Sequence, residues 1–164
     1  MIRPPSEARS YLLQITYGCS WNKCTFCPAY LDKPFKIRPI AEIKQDILLA
    51  KEAYPDVRRV FLCDGDGLVL STDRLLPILD LLNVSFPHLN RIGVYFNARN
   101  ILSKSDEEIQ RFVQRKLTVG YIGLESGSEQ VLEKVHKGAT PQELIEAVLK
   151  AQKNGMKISV IGLL

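Results

Sequence analysis

The chain has 164 residues, 46% of them hydrophobic, and carries 22 Lys and Arg against 18 Asp and Glu, a net charge of +4. That length supports one good core and makes a single domain the default expectation. No apolar run approaches a membrane span, and Met1 to Pro5 lack the apolar segment of a secretion signal, so the expected setting is cytoplasmic, where thiols stay reduced. The basic residues are scattered over helical segments. Arg58-Arg59 and the group Arg111, Arg115 and Lys116 fall short of a nucleic-acid footprint, so nucleic acid as a partner is unsupported.

After an N-terminal arm (1–10) held extended by Pro4 and Pro5, the apolar run from Tyr11 to Tyr17 predicts a first strand. A polar crossover marked by Pro28, Pro34 and Pro39 leads to a helix over Ile40 to Tyr54, with Ile40, Ile43, Ile47, Leu48 and Ala50 at helical period. Val57 to Cys63 reads as the second strand, ending in Asp64-Gly65-Asp66-Gly67. Thr72 is the expected cap of a helix reaching about Asn83. Arg91 to Phe96 is a third strand that delivers Asn97-Ala98-Arg99-Asn100, and Ser105 with Glu108 makes a capping box for a helix to about Lys116. Thr118 to Glu125 is a fourth strand, followed by Ser126-Gly127-Ser128 and a short helix ending at Lys137-Gly138. Thr140-Pro141-Gln142-Glu143 opens the last helix, which stops at Asn154-Gly155, and Lys157 to Leu164 is the fifth strand. Strands and helices alternating at this spacing imply an α/β fold with a parallel sheet.

Three of the four cysteines, Cys19, Cys24 and Cys27, fall in one short loop after the first strand. Three thiolates so close can hold three irons of a cubane cluster while the fourth iron stays open to a ligand. The competing reading is a non-catalytic module holding zinc or a cluster for structure, with Cys63, His88 or His136 completing a zinc site. Cys63 at a strand end is better read as a small buried residue, and each histidine as structural.

Arg3-Pro4-Pro5-Ser6-Glu7-Ala8, followed by Gly18-Cys19-Ser20-Trp21-Asn22-Lys23-Cys24-Thr25-Phe26-Cys27, resembles the radical S-adenosylmethionine (SAM) superfamily, and within it a group of unassigned substrate. The usual first gap between cysteines there is three residues; this chain has four, Ser20 to Lys23. The resemblance implies a 4Fe-4S cluster on Cys19, Cys24 and Cys27 whose open iron chelates SAM. It implies that Gly65 and Asp66, where the superfamily carries a Gly-Gly-Glu-like motif, receive the ammonium of SAM, with Asp64 standing in place of the first glycine. Glu125 and, more weakly, Ser126 would reach the ribose and methionine part, and Phe26 would lie against the adenine. Asn97 and Arg99 share the same end of the sheet but take no role from the resemblance.

The fold implied is a partial parallel (β/α) barrel in which a core spanning 11–164 supplies four strand-helix units and a fifth strand. A missing C-terminal part, or self-association through the apolar fifth strand, is then expected to cover that edge. An electron-donor protein is an implied partner. The expected activity is reductive cleavage of SAM to a 5'-deoxyadenosyl radical that takes hydrogen from a substrate the sequence does not specify.

Overall fold

The computed structural model describes residues 1–163. In chain order it contains β1 (Tyr11–Gln14), β2 (Thr16–Tyr17), β3 (Lys36–Ile37), α1 (Ile40–Ala53), β4 (Arg59–Cys63), α2 (Thr72–Ser85) and β5 (Arg91–Tyr95). There follow α3 (Ala98–Leu102), α4 (Asp106–Gln114), β6 (Leu117–Glu125), α5 (Glu129–Lys134), α6 (Pro141–Lys153) and β7 (Lys157–Gly162). The main sheet runs β1-β4-β5-β6-β7 with every neighbouring pair parallel, as the alternating pattern predicts, while β2 and β3 form a separate antiparallel pair. Leu164, expected to end the fifth strand, lies outside the described residues.

Side-chain alternation along each strand sorts the sheet into two faces. Leu13, Val60, Leu62, Ile92, Val94 and Ile122 pack in one cluster with Ile47, Leu79, Ile109, Phe112 and Leu144 from the helices. Phe61, Cys63 and Tyr121 form a second cluster, with Leu12, Tyr95 and Val119 against it and no helical residue in it. A central parallel strand covered on both faces reads as an unbroken apolar run, which is why Val60 to Cys63 shows no polar alternation.

The helix-free face carries the N-terminal arm. Glu7, in a short turn over Pro5–Glu7, has 0% exposure. Its Oε1 accepts from Arg91 Nη1 at 2.7 Å and from the Tyr121 hydroxyl at 2.5 Å, and Ser10 donates to its other oxygen. Above this pair Phe61, Tyr95 and Tyr121 meet edge to face, with ring centroids 5.0 to 5.9 Å apart.

Several elements depart from expectation for local reasons. The first strand breaks at Ile15, whose N–H donates to Cys63 at 2.6 Å and whose carbonyl accepts from Arg38 at 3.0 Å, so Thr16 and Tyr17 leave the main sheet and pair with β3. In α1 only Ile43, Ile47 and Ala50 are buried, leaving Ile40 and Leu48 exposed. Thr72 is not a cap: it is the first residue of α2, which runs on to Ser85, and its hydroxyl donates to Glu108. Asn97 is the N-cap of the short α3, and Ala98, Arg99 and Asn100 are its first residues. The two capping boxes, Ser105 with Glu108 and Thr140 with Glu143, form as their spacing predicts. α5 stops at Lys134, and His136, two positions before Gly138, already takes a left-handed φ of 54°, the N–H groups of His136 and Lys137 returning to the carbonyls of Glu133 and Leu132; Gly138 is left-handed as expected, at φ 73°.

Candidate functional site

In a parallel sheet the loops after the strands all leave from one edge, and the cysteine loop, Gly65, Asp66, Asn97, Arg99, Glu125 and Ser126 stand there, whereas His88, between α2 and β5, lies at the opposite edge. The cysteine loop has no regular secondary structure between Gly18 and Cys27. It is fastened to the loop after β4 by the Gly65 N–H, which donates to the Gly18 carbonyl at 3.2 Å. A Cβ on Gly65 would lie 2.9 Å from Tyr30 Cε2 and 3.0 Å from Cys19 Cβ, so only glycine lets the two loops approach this closely.

Cys19, Cys24 and Cys27 are free thiols, each half-buried. Burial pushes the Cys24 thiol up, Lys137 pulls it down, and Cys19, Cys27 and Glu125 push it up further. The three sulfurs are thus electrostatic neighbours, yet among the described residues no three His, Cys, Asp or Glu side chains converge as one metal ion would require. A cubane cluster takes its ligands at separate corners, so half-exposed thiols on an irregular loop fit that group better than a single zinc ion. Cys63 is fully buried on the helix-free face, its thiol pushed up to about 12 first by burial and then by Asp64. His88 and His136 are both exposed.

Asp64 and Asp66, on either side of Gly65, are both buried and differ in their partners. Asp64 Oδ2 accepts from Gln14 Nε2 at 2.6 Å. Asp66 Oδ2 accepts from Ser20 Oγ at 2.6 Å, from Asn97 Nδ2 at 2.9 Å and from Asn100 Nδ2. The Oδ1 atom of each is buried without a partner. Burial pushes the Asp66 carboxyl up, and the donors from Ser20, Asn97 and Asn100 pull it back.

Glu125 ends β6 at φ 62°, where the register with β7 slips between Gly123 and Glu125. This left-handed backbone costs a residue with a β-carbon roughly 1–2 kcal/mol, and a bulge of this kind re-aims the side chain. Its carboxylate is 8% exposed and pairs with Lys137 Nζ at 3.1 Å. Ser126 is half-buried, and its hydroxyl accepts from the Ser128 N–H at 3.1 Å; Ser128 stands at the N-cap of α5 with no side-chain cap bond of its own. Phe26 is half-buried within the cysteine loop.

Four residues join this edge that the motifs did not single out. Ser20 and Asn100 reach Asp66, and Lys137 stands between Glu125 and Cys24. Trp21 donates its indole N–H to the His136 carbonyl at 2.7 Å and stacks under the Arg99 guanidinium, 5.2 Å from the ring centroid. Asn97 and Arg99 are thereby contacts to the cysteine loop. Lys137 preceding a glycine at a helix end carried only a capping signal.

Comparison with known proteins matches this arrangement to one family. The sequence profile of the Radical SAM superfamily matches residues 13–164. A provisionally named methylthiotransferase of Methanocaldococcus jannaschii (MJ0865) is 24% identical, over 87% of this chain and 32% of its own length. Among solved structures, the cobalamin-dependent S-adenosylmethionine radical enzyme OxsB, with aqua-cobalamin and S-adenosylmethionine bound, superposes with a TM-score of 0.74 at 18% identity, covering 94% of this chain and 24% of that one. Coproporphyrinogen III oxidase (HemN) of Escherichia coli, a radical SAM enzyme, gives 0.67 at 14% identity over 92% of this chain and 36% of its own. The methylornithine synthase PylB gives 0.67 at 13% identity over 92% and 43%. The chain therefore spans about a third of the curated relative it matches and less than half of these structures. Among the described residues no helix is long and apolar enough to cross a membrane. With a profile match across nearly its whole length and a parallel five-stranded sheet like those of radical SAM enzymes, the chain belongs to the Radical SAM superfamily.

Proposed function

We propose that residues 19–27 hold a 4Fe-4S cluster through Cys19, Cys24 and Cys27 and that the strand ends beside them hold SAM. The cluster, given one electron by a donor protein, supplies reductive cleavage of the C5'–S bond of SAM, releasing methionine and a 5'-deoxyadenosyl radical that takes hydrogen from a substrate. The protein's share is placement. The half-exposed thiols present three separate corners to a cluster, and Lys137 beside Cys24 offsets their negative charge. Gly65 and Asp66 would receive the ammonium of SAM, Asp66 through the oxygen that has no partner. Glu125, re-aimed by the bulge at the end of β6, would accept from ribose hydroxyls once it parts from Lys137, with Ser126 next to it. Phe26 would lie along the adenine. Phe61, Tyr95 and Tyr121 pack edge to face on the helix-free face and would give that side of the site an apolar lining.

The observation that carries this reading is the packing of the cysteine loop onto Gly65, at the strand edge where Glu125 also emerges. Anaerobic reconstitution with iron and sulfide, then dithionite and SAM, should yield 5'-deoxyadenosine that disappears in Cys24→Ala. One equivalent of zinc with no cluster would overturn it in favour of a structural module.

A further inference from the structure

We infer that Asp66 is the tether that orders the cysteine loop, a positioning residue whose Oδ2 joins three segments of the site. The functional meaning rests on the cluster reading above; the tether is a property of the protein before any cofactor is loaded. Asp66 has 0% exposure and, among the described residues, no ion-pair partner. A carboxylate is tolerated in such a place only if hydrogen bonds replace the lost water. Here the replacement is one-sided: Ser20 Oγ at 2.6 Å, Asn97 Nδ2 at 2.9 Å and Asn100 Nδ2 all converge on Oδ2.

The donors come from separate parts of the chain. Ser20 follows Cys19 directly, and its bond to Asp66 spans 46 residues; Asn97 and Asn100, after β5, lie 31 and 34 residues from Asp66. One oxygen thus holds the cysteine loop, the loop after β4 and the entry to α3 in a single arrangement. Three further contacts join these segments without Asp66: the Gly65 N–H donates to the Gly18 carbonyl at 3.2 Å, Asn97 Nδ2 lies 3.4 Å from Ser20 Oγ, and Arg99 stacks on Trp21. An amide substitutes only at a cost, since it lacks the charge that strengthens these bonds. In Asp66→Asn either the NH2 group faces three donors, or it turns to the other side and is buried without a partner.

The test uses the cofactor-free protein. Backbone hydrogen exchange is followed by mass spectrometry in wild type, Asp66→Asn, Ser20→Ala and Ser20→Thr, together with the alkylation rates of Cys19, Cys24 and Cys27. Each lost bond to the carboxylate should speed exchange and alkylation within 19–27 by roughly tenfold or more. Amides of β4, β5 and β6 should be unchanged in Ser20→Ala, and Ser20→Thr, which keeps the hydroxyl, should restore slow exchange. The same variants should take up less iron on reconstitution, with an altered electron paramagnetic resonance signature in the cluster that forms. Exchange in 19–27 equal to wild type in both Asp66→Asn and Ser20→Ala would overturn the tether, including the case in which Asp66→Asn weakens SAM binding alone. If wild type itself takes up no iron, the cluster reading fails, while the exchange comparison still decides the tether.

Discussion

Replacing Glu7 by alanine should destabilise the protein by about 3 kcal/mol, through interactions outside the cysteine loop. Glu7 is wholly buried, and its loss strands the Arg91 guanidinium and leaves the Tyr121 hydroxyl with Ser6 Oγ, at 2.9 Å, as its remaining partner; both groups donate to the same Glu7 oxygen. Removing one partner of a buried pair costs roughly 3–5 kcal/mol, because the remaining charge is left without compensation. The Arg91 side chain keeps 24% exposure, so water can take up part of its hydrogen bonding and the lower end of that range applies. For a chain of this size about 3 kcal/mol lowers the melting temperature by roughly 6–12 °C. Urea unfolding with an unchanged slope would report the same loss as a lower midpoint. Combining Glu7→Ala with Arg91→Met should cost less than the two single changes added together, since the double variant leaves no charge stranded. A Glu7→Ala protein within about 0.5 kcal/mol of wild type would refute the view that the arm is a fixed part of the helix-free face.

Three further outcomes follow from the packing. Gly138→Ala adds a Cβ 2.3 Å from the six-membered ring of Trp21 at a position with φ +73°, so it should cost roughly 1–3 kcal/mol and shift the emission of the single tryptophan; unchanged emission would count against the contact. In the native cofactor-free protein at mildly alkaline pH, iodoacetamide should modify Cys19, Cys24 and Cys27 well before Cys63, whose thiol is buried and pushed up to about 12; equal rates would show that β4 opens readily. Donors from Thr72 and the Ser105 N–H hold the Glu108 carboxyl below the ordinary glutamate range. The native state then binds the proton more weakly than the unfolded chain, so this contribution is complete above the ordinary glutamate value and is lost as pH falls through the lowered one. Glu108→Gln should therefore flatten the acid side of the stability profile, and an unaltered profile would refute the contribution.

Local patterns were readable wherever one segment contains its own explanation. The capping boxes at Ser105 and Thr140 each need only a hydroxyl and a carboxylate three residues on, and both form. The cysteines lie within nine positions of one another, so their shared loop follows from the sequence alone. Thr72 shows where such reasoning fails: its hydroxyl had a local use as a cap, but Glu108, 36 residues away, offers a stronger charged acceptor once α2 and α4 pack together.

By itself the sequence determined the order of strands and helices, hence a parallel sheet, and it determined that the thiols and the two strand-end motifs leave from one edge. Both follow from periodicity and from the geometry of parallel strands, which place successive loops together whatever their contents. Only the tertiary structure decided that Asp66 gathers Ser20, Asn97 and Asn100, that Lys137 stands against Glu125, and that Glu7 is buried under Arg91 and Tyr121. Each of these contacts joins residues from separate elements, at separations of up to 114 positions. Which distant donor fills a buried acceptor is settled by how the elements pack, since the cost of leaving that acceptor empty arises only once water has been excluded from it.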